Sequence, residues 1–369
     1  MAEVTLGTKS YEFAELEKKY RGFMGPACKI SIDGQELTKD QYAISEITVI
    51  MSTSEDIGTA TFSITNLYDP ETRDFSKLGN PIALGKTVEI ELGYVDKLTP
   101  VFFGYIAGIR AEYSGGGPPS LKITAMDPTF KLMRGRKAAS WTNKKISDVV
   151  KEIALKYGLT PKQVDATETM MDFVVQKGVS DYHFLQDLAL RSGRECFIVG
   201  KEFYFRKRNQ SKTPVTSLKH GESLIRFFVE ASLSEQVTKV FVRGWDATKK
   251  EYSEGSSDTV DKIGSNAKTG GTILKSDMKP GSYDEYIYMN FKDATEANKI
   301  AESLMNERAM RFVQGEGECT GHPEIQAGRY IKIEQTGAMF SDVYYVKRVT
   351  HEWNTDGYRT IFEVQGNAI

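Results

Sequence analysis

Gly85-Lys86-Thr87-Val88-Glu89-Ile90-Glu91 and Gly328-Arg329-Tyr330-Ile331-Lys332-Ile333-Glu334 are the stretches on which the fold turns. Each is a glycine, a base, and then an alternating run that ends on Ile-Glu. The first is followed by Phe103-Gly104-Tyr105-Ile106-Ala107-Gly108-Ile109 and Leu121-Lys122-Ile123-Thr124-Ala125. The second is followed by Tyr344-Tyr345-Val346-Lys347-Arg348-Val349 and Tyr358-Arg359-Thr360-Ile361-Phe362-Glu363-Val364. Alternation sends successive side chains to opposite faces of a sheet. The two blocks therefore predict one antiparallel β unit, built twice. Such a chain presents twice as many equivalent surfaces as it has subunits, which suits a ring-shaped assembly.

Outward from the repeat, 369 residues are enough for two or three domains with packed cores. Lys and Arg number 48 against 50 Asp and Glu, a formal charge of −2, so no basic field points to nucleic acid. No charged-then-apolar leader opens the chain, and no window approaches ~18 consecutive apolar residues. The expectation is a soluble chain, made in the cytoplasm, without stable membrane or nucleic-acid binding. Cys28, Cys196 and Cys319 are odd in number and far apart, which argues against a disulfide framework or a zinc site. Eighteen Tyr and nineteen Phe among short alternating runs favour a β-rich protein.

The chain divides into four regions. Residues 1–25 read as an extended arm or short helix, with Tyr11, Phe13, Leu16 and Tyr20 as anchors that need a surface to order them. Residues 26–127 read as the first β domain. Its strands run at Ala27–Ile32, Ile44–Met51 and Ala60–Ile64, then through the repeat, with Ser114–Pro119 as a loop. Residues 128–214 read as a small α+β domain. Ile146, Val149, Val150, Ile153, Ala154 and Tyr157 share one helical face, with Thr142 or Asn143 as the cap and Gly158 as the stop. A second helix runs from Asp181 to Ser192, capped by Ser180, and a hairpin comes after it through Cys196–Val199 and Phe203–Arg206. Residues 215–369 read as the second β domain. It holds a strand at Val237–Gly244, a mobile Ser/Gly/Lys-rich loop at 253–283 and a helix at Asp293–Arg311. The fold class is β-rich α+β, with a small α+β domain between two β domains.

The sequence offers no positive sign of catalysis. His183 and His351 read as packing or surface residues. Cys319 and His322 are three apart, but a thiol–imidazole pair needs an orienting group and a shaped pocket that nothing specifies. Gly315–Gly321 imitates a dinucleotide fingerprint, yet its third glycine is one residue late and no helix comes after it. No catalytic, cofactor or metal residues are assigned.

Four stretches carry a resemblance to a known family. They are Gly93-Tyr94 with Phe103–Ile106, Ile146–Val150 through Tyr157-Gly158-Leu159, and Ser180–Leu185 through Gly193. The fourth runs from Val237 through Val242–Asp246, Gly315–Gly317, Gly321-His322-Pro323, Gly328 and Tyr345-Val346 to His351 and Gly357-Tyr358. Together they span residues 25–365. In that order and spacing the chain resembles the tail-hub proteins of contractile injection systems. These include the phage late-control D proteins, the T4-type baseplate hub and the N-terminal hub module of the VgrG spike proteins.

The resemblance implies two tube-protein-like β-barrel domains flanking a small α+β domain. It also implies a homotrimer whose six barrels form a pseudo-six-fold ring joining the hexameric tail tube to the trimeric central spike. The implied partners are the tail tube protein, a central spike protein and other baseplate proteins. The implied location is the bacterial cytoplasm during assembly and then the phage-like particle. VgrG chains continue into a spike, whereas this sequence ends at Ile369, so the spike is expected to be a separate chain. Phe102, Phe103, Tyr105, Tyr344, Tyr345 and Trp245 are the candidate assembly surfaces, because an aromatic-rich strand such as Val101–Ile109 needs covering. Glu89, Glu91, Lys332 and Glu334 face either a lumen or solvent. The competing reading is a tail-associated glycan-binding or peptidoglycan-cleaving protein, which has no need of a doubled β unit.

Overall fold

The computed structural model describes residues 3–54, 56–115, 117–208, 212–246 and 250–369. Gly116, in the expected Ser114–Pro119 loop, lies outside the described residues.

Alternation does what the sequence predicts. Thr59–Ile64 and Ser120–Met126 bury every second side chain, with Ala60, Phe62, Ile64, Leu121, Ile123 and Ala125 all at 0% exposure. In chain order the front half supplies Pro26–Ile32, Ile44–Ser52, Thr59–Ile64, Thr87–Tyr94, Lys97–Glu112 and Ser120–Met126. In space the second of these strands comes first, followed by the third, sixth, fifth, fourth and first. The back half supplies Pro214–Lys219, Leu224–Ala231, Val313–Thr320, Tyr330–Glu334, Val343–Asn354 and Gly357–Gly366. Their spatial order follows the same permutation.

The bulges repeat as well. One falls between Ile44 and Glu46 in the front row and between Leu224 and Arg226 in the back row. Another falls between Ile106 and Gly108, and again between Val346 and Arg348. A bulge inserts one residue and re-aims the side chains beyond it, so this agreement makes the rows equivalent residue by residue over four strands. The first strands differ. Pro26–Ile32 pairs antiparallel with Thr87–Tyr94, whereas Pro214–Lys219 pairs parallel with Tyr330–Glu334.

Two smaller units interrupt the strands. Residues 128–208 hold helices Ile146–Lys156 and Asp181–Arg191 over a core of Val149, Val150, Ile153, Leu185, Phe203 and Phe205. Ser180 caps the second helix, its Oγ accepting the His183 N–H. Thr142 and Asn143 do not cap the first. They lie in a strand, Lys137–Lys145, that pairs with Met170–Val179, and the helix begins only after Lys145. The expected loop at 253–283 is also corrected. Glu251–Ser257 is a strand on Lys239–Asp246, and Gly270–Asp277 is a helix. Between them Asp342 accepts the N–H groups of Ser265 and Asn266, and Ile263 is buried. With Asp284–Tyr288 and the helix Ala294–Ala309, these segments make a second α+β unit around Val240, Val242, Ile300, Ala301 and Leu304. Asp293, expected as the first residue of that helix, is its cap, with its side chain accepting the Glu296 N–H.

The N-terminal segment finds its surface on its own chain. The helix Phe13–Lys19 buries Leu16 completely, and Tyr20 just after it is also fully buried. The Tyr20 hydroxyl and the Lys19 ammonium both meet Glu324, at 2.5 and 2.6 Å. Val4 and Leu6 pack against Phe103, Phe197 and Val199.

Candidate assembly surfaces

Most of the aromatic candidates are not on the surface. Phe102 is 0% exposed and Phe103 is 5% exposed, because the stretch 101–104 of the strand Lys97–Glu112 is covered on both faces. Phe102 joins the main core, and Phe103 joins the cluster formed by the N-terminal segment and the hairpin 195–206. Tyr105 is half-buried, with the Lys131 ammonium 3.5 Å from its ring centre. Tyr344 and Tyr345 are buried as well. These four buried residues therefore offer nothing to a partner. Trp245 is exposed, at the end of the small three-stranded sheet. Tyr252 lies against it, edge to face at 5.4 Å, and Tyr286 and Tyr288 are exposed on the same sheet. Tyr252, Tyr286 and Tyr288 flank the segment expected as a loop at 253–283, and no sequence pattern marks them.

Tyr345 anchors the first α+β unit to the back row. Its hydroxyl donates to Glu195 Oε2 at 2.7 Å, while Arg206 Nε and Arg208 Nε reach the same carboxylate at 2.9 and 3.2 Å. Arg206 also donates to the Gly328 carbonyl at 2.6 Å, and Tyr330 donates to the Arg208 carbonyl at 3.0 Å. A buried carboxylate is tolerable only when paired and hydrogen-bonded in this way.

The two rows meet edge to edge. Arg348–Trp353, on the strand Val343–Asn354, pairs antiparallel with Ile47–Ser52. The bulged residue Lys347 accepts the Thr53 N–H at 3.0 Å. On the inner face of this seam Val349 and His351 meet Met51 and Val49, all 8% exposed or less. Ser52 ends its strand by accepting the Ser54 N–H at 3.1 Å.

The residues that suggested chemistry serve packing instead. The Cys319 thiol donates to the Thr360 carbonyl at 3.7 Å, and burial pushes its pKa up. The His322 imidazole packs edge-on against Phe23 and Phe13, at 4.7 and 5.6 Å. The His351 ring meets the hydroxyls of Tyr358 and Thr360 at 3.0 and 3.1 Å. Among the described residues no group of three or more His, Cys, Asp and Glu could hold a metal ion. A cleft of about 900 Å³ between the two α+β units mixes Glu168, Asp187 and Glu302 with Arg191, Lys292 and Lys299. No described helix is long and apolar enough to cross a membrane.

The model of a family described as the Alg8 N-terminal domain matches residues 26–355. The chain belongs to that family. Solved structures similar to this Alg8 N-terminal domain chain share its fold at low sequence identity. A 43 kDa tail protein of prophage MuSo2 from Shewanella oneidensis is 13% identical, with a TM-score of 0.70 over 92% of this chain and 98% of its own. A tail protein from Neisseria meningitidis MC58 is 12% identical, with a TM-score of 0.68 over 93% and 97%. An Escherichia coli component of the type VI secretion system, described as similar in structure to phage T4 tail proteins, is 14% identical. Its TM-score is 0.57, over 92% and 76%. The Alg8 N-terminal domain chain thus has the fold of phage tail proteins. No curated relative matches its sequence.

Proposed function

We propose that this chain is a structural tail-hub subunit of a contractile injection particle. Three copies close into a ring whose six β rows act as barrels matching a hexameric tail tube. The trimer itself matches a three-fold central spike. The observation that carries this reading is the repeat: two rows of identical strand order, joined in one chain by an edge-to-edge seam. Repeating a seam of that kind between copies gives a head-to-tail contact, which closes when the rotation permits. The shared fold of phage and secretion-system tail proteins supports the same reading.

The role is docking and channel lining, without catalysis or a cofactor, and the chain ends up in the particle beside tube, spike and baseplate proteins. The exposed aromatics Trp245, Tyr252 and Tyr288 are the surface offered to those partners. Co-expression with tail-tube and spike chains, followed by purification on a tag carried by the hub, tests the reading. Recovery of all three at one hub trimer per spike trimer is expected. Degradation of peptidoglycan by the purified chain, abolished by a single carboxylate substitution, would replace this reading with the hydrolytic one.

A further inference from the structure

The seam inside the chain uses one edge of each row and leaves its counterpart edges open. Register equates Arg348 with Gly108, because both come directly after the bulge that succeeds Val346 or Ile106. It likewise equates Ile47 with Phe227 and Val49 with Val229, through their partners on the third strands. Ser232 holds the place of Ser52 and makes the same turn, its Oγ accepting the Ser234 N–H at 3.3 Å. The counterparts of the two seam edges are therefore residues 107–112 and the strand Leu224–Ala231. Among the described residues no strand covers either edge: apart from an isolated bridge between Leu224 and His220, Leu224–Ala231 pairs only with Val313–Thr320, and residues 108–112 only with Ser120–Thr124.

We propose that residues 107–113 of one copy pair antiparallel with residues 227–233 of a second copy, in the register of the internal seam. This rests on the hub reading, whose inter-subunit contact it specifies. Gly108 would face Ser232, Ile109 would face Ala231, Arg110 would face Glu230, Ala111 would face Val229 and Glu112 would face Phe228.

Three observations favour a second copy as the occupant. The first is continuity, since the seam already exists once within the chain. The second is charge, since the register sets exposed Arg110 opposite exposed Glu230, and opposite charges across a strand pair attract. The third is burial. Ile109, Phe227, Val229 and Ala231 pack only partly against the core, while their counterparts in the seam are buried. Phe228 is 61% exposed beside them, on an edge that would otherwise invite uncontrolled pairing.

The test uses cysteine pairs in the full chain, co-expressed with tube and spike. Arg110 and Glu230 correspond to Thr350 and Ile50; the Thr53 N–H bonds the Lys347 carbonyl, so alternation makes Thr350 and Ile50 a pair without direct hydrogen bonds, where Cβ atoms approach most closely. R110C/E230C is expected to give disulfide-linked dimers and trimers under mild oxidation, while R110C/F228C, two residues out of register, stays unlinked. As a second variant, R110E is expected to weaken self-association roughly tenfold, and R110E/E230R to restore it. Three-chain rings seen by microscopy without this cross-link would overturn the strand pairing and leave the hub reading standing. Cross-linked open chains that never close would keep the pairing and overturn the ring. Equal cross-linking at both cysteine pairs would overturn the register.

Discussion

Ile106 and Val346 hold the same place in the two halves of the molecule. The Ile106 carbonyl accepts the Gly85 N–H at 2.8 Å, and its N–H donates to the Lys86 carbonyl at 2.8 Å. The Val346 carbonyl accepts the Gly328 N–H at 2.9 Å, and its N–H donates to the Arg329 carbonyl at 2.8 Å. The glycine-then-base signature thus marks the point where the fourth strand of each row locks onto the bulge of the fifth.

Both glycines have φ near +85°, at +82° for Gly85 and +88° for Gly328, where a side chain is strained. Around Gly85 the space is open, while a Cβ on Gly328 would lie 2.9 Å from the Phe197 ring. Gly85→Ala is expected to cost about 1 kcal/mol, and Gly328→Ala about 2–4 kcal/mol. Urea unfolding of the two variants checks the order.

Glu195 neutralises Arg206 and Arg208 and receives the Tyr345 hydroxyl in a largely buried site. Removing it strands two cations. Glu195→Ala is expected to destabilise by about 3–5 kcal/mol, and Tyr345→Phe by about 1 kcal/mol. A cost below about 1 kcal/mol for Glu195→Ala in chemical denaturation would show that the network does not hold the α+β unit to the back row.

Burial lowers the pKa of His322 to about 4 and that of His351 to about 3, the latter helped by His322 nearby. Both are held neutral, so their contribution is complete above the unfolded value of ~6.5 and is lost as pH falls towards 4. At ~1.4 kcal/mol per unit, His322 alone removes about 3 kcal/mol by pH 4. His322→Phe is expected to flatten that acid limb in a series of melts from pH 7 to 4.

Asp127 shows the opposite sign. Burial raises its pKa to about 7, against hydrogen bonds from Thr129 and Gly58 that favour the charged form. Stability from this group is complete below ~3.8 and is lost as pH rises to 7, by up to about 4 kcal/mol. Asp127→Asn is expected to match the parent at pH 4 and exceed it at pH 8. Equal stability of the two chains at pH 8 would contradict the raised pKa.

Much of the fold was legible because it is written in periodicity and caps. Ala60-Thr61-Phe62-Ser63-Ile64 could only be a half-buried strand, and Ser180 announced its helix. The elements that escaped had no such pattern. Lys137–Lys145 alternates with Trp141 as its one large apolar residue, and its pairing with Met170–Val179 leaves Phe173 and Val175 exposed. Residues 253–257 of the strand Glu251–Ser257 read as loop because Ser and Gly dominate them, and Gly255 stands there because it lies under the helix Ala294–Ala309, where a Cβ would sit 2.3 Å from the Ala297 backbone. The aromatic candidates misled because exposure was inferred from one sheet face. Phe103 and Tyr345 are covered from the second face by segments distant in sequence. The edge residues Arg110, Phe228 and Glu230 carry no sequence signal of their own. They emerge only when the two rows are compared strand by strand.

The most direct measurement is electron microscopy of the assembled hub with class averaging viewed down the ring axis. Three chains forming six lobes around a pore are expected, with intramolecular and intermolecular seams of the same appearance alternating around it. A monomer, or a ring in which neighbouring chains meet through the small α+β units while Leu224–Ala231 stays free, would contradict this arrangement.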